Sequence, residues 1–291
     1  MGNLVKIVKI KSGLGNQMFQ YAFAKTLEKL TGESVTLDLS QYKFEKLHNG
    51  YELSRLFDID LQEAPEETVE LLSTIPNTLI KRIQRKFFTK PTHYIEDESV
   101  FNANVFDIQS SCYFEGYWQS EKYFEPIKNS IHEIFKFKRP INHSTQQMIN
   151  QIDDLTASMH VRRGDYLLGK NRSLNVCTLN YYNAAVNLLQ SYQSINKLIV
   201  FSDDIPWCQK NLAYKNIDIV FADWNTKEDA WQDMYLMSKC RHNIIANSSF
   251  SWWGAYLNEH WNKMVIAPEQ WKRNEKRNLR IIPSDWTSLP L

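Results

Sequence analysis

No apolar run in this 291-residue chain approaches the ~20 residues needed to span a bilayer. No secretory leader is expected either, since Met1 to Ile10 reads directly as a short strand with lysines interleaved. Cysteine is scarce and scattered. Cys112, Cys177, Cys208 and Cys240 form no Cys-x-x-Cys pair and have no histidine companions at zinc spacing, which points to reduced thiols in a cytoplasmic protein. An excess of one charge is also lacking. With 34 basic and 33 acidic residues the net charge is +1, and no global reason remains to expect a nucleic-acid partner. Three triplets match the glycosylation acceptor pattern (at Asn142, Asn171 and Asn247), but without a secretory route they are accidental. Neither a short-period repeat nor a low-complexity tract is present.

What is there reads as a globular protein. The hydrophobic fraction is 43% and the charged fraction 23%, enough for a sizeable core in one large or two ordinary domains. Nine tryptophans and fourteen tyrosines serve equally as core residues or as sugar-stacking faces, so their number alone decides nothing.

The second half reads as a run of βα units. Apolar strands are expected at Ala157–Val161, Leu198–Phe201, Ile217–Phe221, Asn243–Ala246 and Met264–Ala267. Helices are expected over Leu179–Tyr192, Lys227–Cys240 and Ser251–Glu259. Short continuous apolar strands between helices predict a parallel sheet covered on both faces. Polar residues follow these strands: His160 to Asp165 the first, Ser202-Asp203-Asp204 the second, Asp223 the third and Asn247-Ser248-Ser249 the fourth. Ligands of open α/β sheets bind beyond the carboxyl ends of the strands, so these ends describe one crevice.

The densest chemistry lies in His160-Val161-Arg162-Arg163-Gly164-Asp165-Tyr166. Two guanidiniums at a strand mouth match phosphate oxygens, and Gly164 lets the backbone turn close to a ligand. An Arg-x-x-Asp pair also forms structural ion pairs at strand ends, and both readings stand. Arg163-Gly164-Asp165 spells a cell-attachment tripeptide as well, but nothing else in the chain looks extracellular.

The first half opens with strand Leu4–Ile10, the turn Ser12-Gly13-Leu14-Gly15-Asn16-Gln17 and a helix from Met18 to Leu30. A glycine turn at a helix start suits an anion. The third glycine of a dinucleotide fingerprint is replaced by Met18, and a plain tight turn explains the pattern equally well. Val35–Leu39 is expected beside the first strand. The stretch from Ser40 to Ser111 is irregular, with helical pieces at Glu66–Ser73 and Asn77–Phe88. The latter alternates Leu79, Ile80, Ile83 and Phe87 with Lys81, Arg82, Arg85 and Lys86, as a solvated face or a membrane-docking one. The aromatic-rich Cys112–Ser120 segment is expected to line the cleft. Lys136–Thr145, with Pro140, marks the boundary between residues 1–140 and 141–291.

Taken together, these residues resemble the α1,2-fucosyltransferases of glycosyltransferase family 11, specifically the bacterial members. Gly13-Leu14-Gly15-Asn16-Gln17-Met18-Phe19-Gln20-Tyr21-Ala22 matches the family's opening and Gly116-Tyr117-Trp118-Gln119-Ser120 its central segment. The His160–Tyr166 run matches its His-x-Arg-Arg-x-Asp motif, which α1,6- and protein O-fucosyltransferases share. Phe201-Ser202-Asp203-Asp204 and Asn247-Ser248-Ser249-Phe250-Ser251-Trp252-Trp253-Gly254-Ala255 complete the set.

The resemblance implies an α/β, GT-B-like architecture of two Rossmann-like domains whose parallel sheets face a central cleft. The N-terminal domain would take the acceptor and the C-terminal one the nucleotide sugar. It implies transfer of L-fucose, with inversion, from GDP-β-L-fucose to the 2-hydroxyl of a terminal β-galactoside, without metal or other cofactor. The setting implied is surface-polysaccharide or O-antigen synthesis on an oligosaccharide or lipid-linked acceptor, in the cytoplasm with peripheral contact to the inner membrane.

Under this resemblance Arg162 stabilises the departing diphosphate, where a positioned donor is typically worth ~3–4 kcal/mol. Arg163 shares that role or pairs with Asp165. Asp165 is the nearest carboxylate to act as base, or it fixes the loop by pairing with Arg162 or Arg163. His160 binds the nucleotide or orients the loop. Ser202 lies with Asp203 and Asp204, which accept from the guanine edge or ribose. Ser248, Ser249 and Ser251 donate to phosphate, with Asn247 and Phe250 in the same stretch. Gly13, Gly15, Asn16 and Gln17 face the donor from across the cleft, and Trp252 and Trp253 pack.

Overall fold

Among the described residues of the computed structural model, every strand pair is parallel. The structure describes residues 4–44, 49–74, 89–273 and 280–291. The chain divides into two units, Met1–Lys138 and Arg139–Leu291. The basic helix expected over Asn77–Phe88, with its membrane-docking reading, lies outside the described residues.

In the first unit β1 (Lys6–Lys9), β2 (Val35–Asp38), β3 (His93–Ile95) and β4 (Cys112–Glu115) form a sheet in the order β2-β1-β4-β3. Helix α1 spans Leu14–Thr31, four residues longer at its start than the periodicity predicted. Gly13 is its N-cap, and Gly32, at φ 67°, ends it in the left-handed region that glycine tolerates. The expected Gly13–Gln17 turn is therefore the cap and first turn of this helix. Leu14, Met18 and Phe19 are buried, and that burial outweighs the helix penalty of Gly15.

The Cys112–Ser120 aromatics are mainly core. Tyr113, Phe114 and Trp118 are buried, and the Trp118 indole stacks on Phe23 at 3.8 Å and 5°. Fully burying a side chain such as Phe23 contributes ~1.5–3 kcal/mol. A shorter helix, α2 (Glu66–Leu72), closes the other face through Val69 and Leu72 against Ile7 and Tyr113.

In the second unit β5 (Thr156–Val161), β6 (Lys197–Ser202), β7 (Asp218–Ala222), β8 (His242–Ile244), β9 (Val265–Pro268) and β10 (Thr287–Leu289) follow the order β10-β9-β8-β5-β6-β7. All six residues of β5 are buried, as a central strand covered on both faces requires. Helices α3 (His143–Ile149), α4 (Leu179–Tyr192), α5 (Ile205–Asn211), α6 (Trp231–Lys239) and α7 (Ser249–Tyr256) accompany the sheet. Ala157, Met159 and Val161 pack in one cluster with Tyr182, Val186 and Leu189 of α4. Ile199, Phe201 and Ala222 pack in another with Leu236 and Met237 of α6. From β5 the chain continues outward through β6 and β7, then returns to the opposite side with β8. The topological switch point thus lies between β5 and β8.

All four cysteines are free and buried. Among the described residues, no helix is long and apolar enough to cross a membrane.

Candidate active site

At a switch point the loops after two neighbouring strands diverge and leave a crevice. Here those are the segment that begins at the end of β5 with His160 and runs to Tyr166, and the one that follows β8 through Asn247 into the first turn of α7, as far as Ser251.

Arg162 stands at the centre of the first loop. Its guanidinium is held by Asp165 at 2.8 Å and Asp203 at 3.2 Å, with 27% of the side chain exposed. A guanidinium has five N–H donors, more than these two pairs use, so donors remain for an anion. Arg163 is engaged differently. Its Nε donates to Asp204 Oδ2 at 3.1 Å and its guanidinium lies 4.0 Å from the Trp207 ring centroid. The Arg-x-x-Asp ion pair weighed for the motif is that of Arg162 with Asp165. Arg163 pairs with Asp204 rather than with Asp165, because α5 brings Asp204 and Trp207 onto one side of the guanidinium.

Asp203 bolts this loop to β6. Its Oδ1 accepts from the Arg163 backbone N–H at 2.9 Å and its Oδ2 receives Arg162. Gly164 packs so closely that an added Cβ would lie 2.7 Å from Asp203 Oδ2. Asp204 is the N-cap of α5, with Oδ1 accepting from Trp207 N–H at 3.2 Å, and Ser202 Oγ accepts from Asp204 N–H at 2.9 Å. These internal bonds give Ser202, Asp203 and Asp204 a part in shaping the loop, a role the ligand-acceptor expectation did not include. An Asp followed by proline in the first helical turn is a capping pattern, so the role of Asp204 was readable from sequence.

Asp165 Oδ2 accepts from Asn171 Nδ2 at 3.3 Å, while Oδ1 is ion-paired with Arg162. Its carboxylate therefore takes the loop-fixing alternative, and the base assignment is not supported by this geometry. His160 is 6% exposed, and its Nδ1 is buried without a hydrogen-bond partner. Desolvation and the nearby Arg162 push its pKa down to about 3, so the ring is neutral at physiological pH. Phe250, at the start of α7, lies 6.0 Å from the His160 ring.

In the second loop Asn247 is a structural pin. Its amide donates to Leu174 O and Trp271 O, each at 2.8 Å, and its Oδ1 accepts from Cys177 Sγ at 3.5 Å. Ser251 is fully buried and bonds back to Ser248 O at 3.3 Å. A direct donor contact by the side chains of Asn247 and Ser251 is thereby corrected. Ser248 is the N-cap of α7 with no capping side-chain bond, and Ser249 and Phe250 are half-buried beside it. Trp252 and Trp253 are fully buried.

Tyr166 was not expected to matter, yet it links the two loops. Its hydroxyl donates to Asn247 O at 3.0 Å while the Arg162 guanidinium lies 5.5 Å from its ring centroid. Its place directly after the Arg-Arg-x-Asp run was the only signal.

Gly13, Gly15, Asn16 and Gln17 belong to the first unit. Gly13 O accepts from Asn16 and Gln17 N–H at 2.9 and 3.1 Å. Gln17 is fully buried: its amide donates to Ser12 O and Gly50 O and accepts from Glu52 N–H. The reach towards a ligand expected of Gln17 is corrected on that ground. Asn16 is half-buried, and its Oδ1 accepts from Gln119 Nε2 at 2.7 Å.

A family model described as Glycosyl transferase family 11 matches residues 4–289. An α-1,2-colitosyltransferase of Escherichia coli is 34% identical over 98% of this chain and 99% of its own length. The O-antigen biosynthesis glycosyltransferase WbnK of E. coli is 29% identical, over 96% and 99%. A mouse galactoside 2-α-L-fucosyltransferase, Sec1, is 24% identical over 86% of this chain and 63% of the relative. Among solved structures, the fucosyltransferase NodZ from Bradyrhizobium superposes with a TM-score of 0.51 at 15% identity, covering 87% of this chain and 92% of NodZ. That likeness identifies the fold as GT-B-like.

Proposed function

We propose, from the premise that this chain belongs to glycosyl transferase family 11 and is a glycosyltransferase, that it moves L-fucose from GDP-β-L-fucose to the 2-hydroxyl of a terminal β-galactoside. The observation that carries this reading is Arg162, a guanidinium with donors to spare at the switch point of the second unit. The second unit takes the nucleotide sugar and the first takes the acceptor.

In the proposed step the galactose 2-oxygen attacks the anomeric carbon from the face opposite the diphosphate. The carbon–oxygen bond to phosphate breaks, GDP leaves with the electron pair, and the hydroxyl proton passes to solvent water as the new bond forms. Arg162 stabilises the charge growing on the diphosphate, and no metal ion is needed. Asp165, Asp203 and Tyr166 set the guanidinium. Neutral His160 offers its ring nitrogen to the nucleotide, and Ser248 and Ser249 meet phosphate at the start of α7. Acceptors in surface-polysaccharide or O-antigen synthesis fit the relative WbnK.

A second donor reading has its own support, because a relative at 34% identity is a colitosyltransferase. Colitose lacks the 3-hydroxyl of fucose, so GDP-colitose is the competing donor. Measuring kcat/KM for both donors with lactose tests the assignment. A preference for GDP-fucose upholds the reading, a preference for GDP-colitose replaces the donor, and turnover of neither refutes both.

A further inference from the structure

Two loops in the first unit are built with more internal constraint than a plain connection needs. They follow the neighbouring strands β1 and β4, at Ile10 to Gln17 and Gly116 to Ser120. Each contains a non-glycine residue in the left-handed region, Ser12 at φ 68° and Trp118 at φ 55°. Such conformations persist only where the surroundings over-determine them, and they concentrate at functional sites.

The surroundings here do so. One carboxylate oxygen of buried Glu96 accepts from both Tyr117 and Trp118 N–H, at 2.7 and 2.8 Å. Gly116 presses on Glu96 so tightly that an added Cβ would come within 2.5 Å of it. The buried Gln20 amide joins the loops by accepting from Lys11 N–H and donating to Gly116 O. Ser12 O accepts from Tyr42 Oη at 2.7 Å and Gln17 Nε2 at 2.9 Å. The stacked, buried Trp118 indole anchors the second loop.

This framework presents half-buried Asn16, Tyr117 and Gln119 at the carboxyl edge of the sheet. Gln119 Nε2 bonds Asn16 Oδ1 at 2.7 Å, the Tyr117 hydroxyl is 3.4 Å from Ser12 Oγ, and Lys11 Nζ lies 4.4 Å from the Tyr117 ring centroid. Neighbouring Glu115 is ion-paired with Lys9 and Lys11 at 3.4 and 3.7 Å. What is offered is a set of neutral amide and phenol groups, able both to donate and to accept. That chemistry recognises a polyhydroxyl ligand rather than a carboxylate or a cation.

We infer that Tyr117 and Gln119 form the sugar-hydroxyl contacts of the acceptor subsite and so set acceptor specificity. The inference rests on the glycosyl-transfer reading above and adds its acceptor residues. The test combines binding with kinetics on the full chain. Saturation-transfer NMR with lactose reports acceptor binding without any donor, and initial rates give both Michaelis constants. Tyr117→Phe and Gln119→Ala should each weaken lactose about threefold to tenfold, the range for one neutral hydrogen bond. The donor KM should stay within about twofold. The conservative Gln119→Asn should recover part of the loss, which separates recognition from loop collapse. A matching rise in donor KM, or lactose binding unchanged in both variants, overturns the inference. Lactose binding that is lost in Gln119→Ala while wild-type protein turns over no GDP-sugar would refute the donor assignment and leave this site standing.

Discussion

The two arginines of the motif are adjacent in sequence but are predicted to fail in opposite ways when removed. Arg162→Ala removes a guanidinium paired with partly exposed carboxylates, Asp165 at 41% and Asp203 at 25% exposed, and placed only distantly, at 5.5 Å, from the Tyr166 ring centroid. Pairs of that kind contribute ~0–1 kcal/mol to stability, so the melting temperature should move little. Loss of a positioned donor to a developing anion costs ~3–4 kcal/mol, a fall in kcat of about 10²–10³. Arg163→Ala reverses the balance. It removes an ion pair to Asp204 and a cation–π contact with Trp207 at 4.0 Å, together ~1–2 kcal/mol. A domain of this size loses roughly 3–6 °C in Tm for that amount. Activity measured well below the transition should fall far less than in Arg162→Ala. Thermal unfolding and GDP release on the two purified variants decide the matter. If Arg162→Ala keeps kcat within tenfold of wild type, or if the two stability shifts are exchanged, the division of roles is refuted.

Three further outcomes follow from the same geometry. Gly164→Ala forces its methyl against Asp203, whose carboxylate is fixed by both arginines, so activity should fall at least tenfold in a protein that still folds; wild-type kinetics would show that Asp203 does not set the loop. Asp165→Asn keeps a partner for Arg162, so kcat should stay within about tenfold, whereas a fall of ~10²–10⁴ with loss of a pH limb would restore Asp165 as base. Asp233, on α6, accepts from Asn225 Nδ2, and desolvation pushes its pKa up to about 8. Its folded value lies above the ordinary carboxylate value of 3.8, so its contribution is complete below that pH and is lost as pH rises through about 8. Asp233→Asn should therefore flatten the decline of Tm between pH 5 and 9, and an unchanged slope would contradict the assignment.

The second unit was the more legible half. Its strands β5, β8 and β9 are wholly buried, so their runs stand out whatever their partners, and α4 begins and ends where its periodicity does. In the first unit β3 and β4 are only three and four residues long and carry His93, Tyr94, Cys112 and Glu115. Their pairing with each other and with β1 is long-range, and no local period announces it. The site divides in the same way. Sequence located the strand ends and singled out Arg162, but it did not tell a ligand-facing carboxylate from one bonded inside the loop. That distinction for Asp203 depends on Arg163 N–H and Gly164, forty residues away. Asn247 and Gln17 were misread for the same reason, since their amide partners lie at Leu174, Trp271, Gly50 and Glu52.

The most direct test follows GDP-β-L-fucose and lactose by proton NMR in the presence of excess chelator. The account predicts GDP and one trisaccharide in equal amounts, with fucose α-linked to O2 of galactose. A β-linked product, linkage to another hydroxyl, or transfer that requires added Mn²⁺ would contradict it.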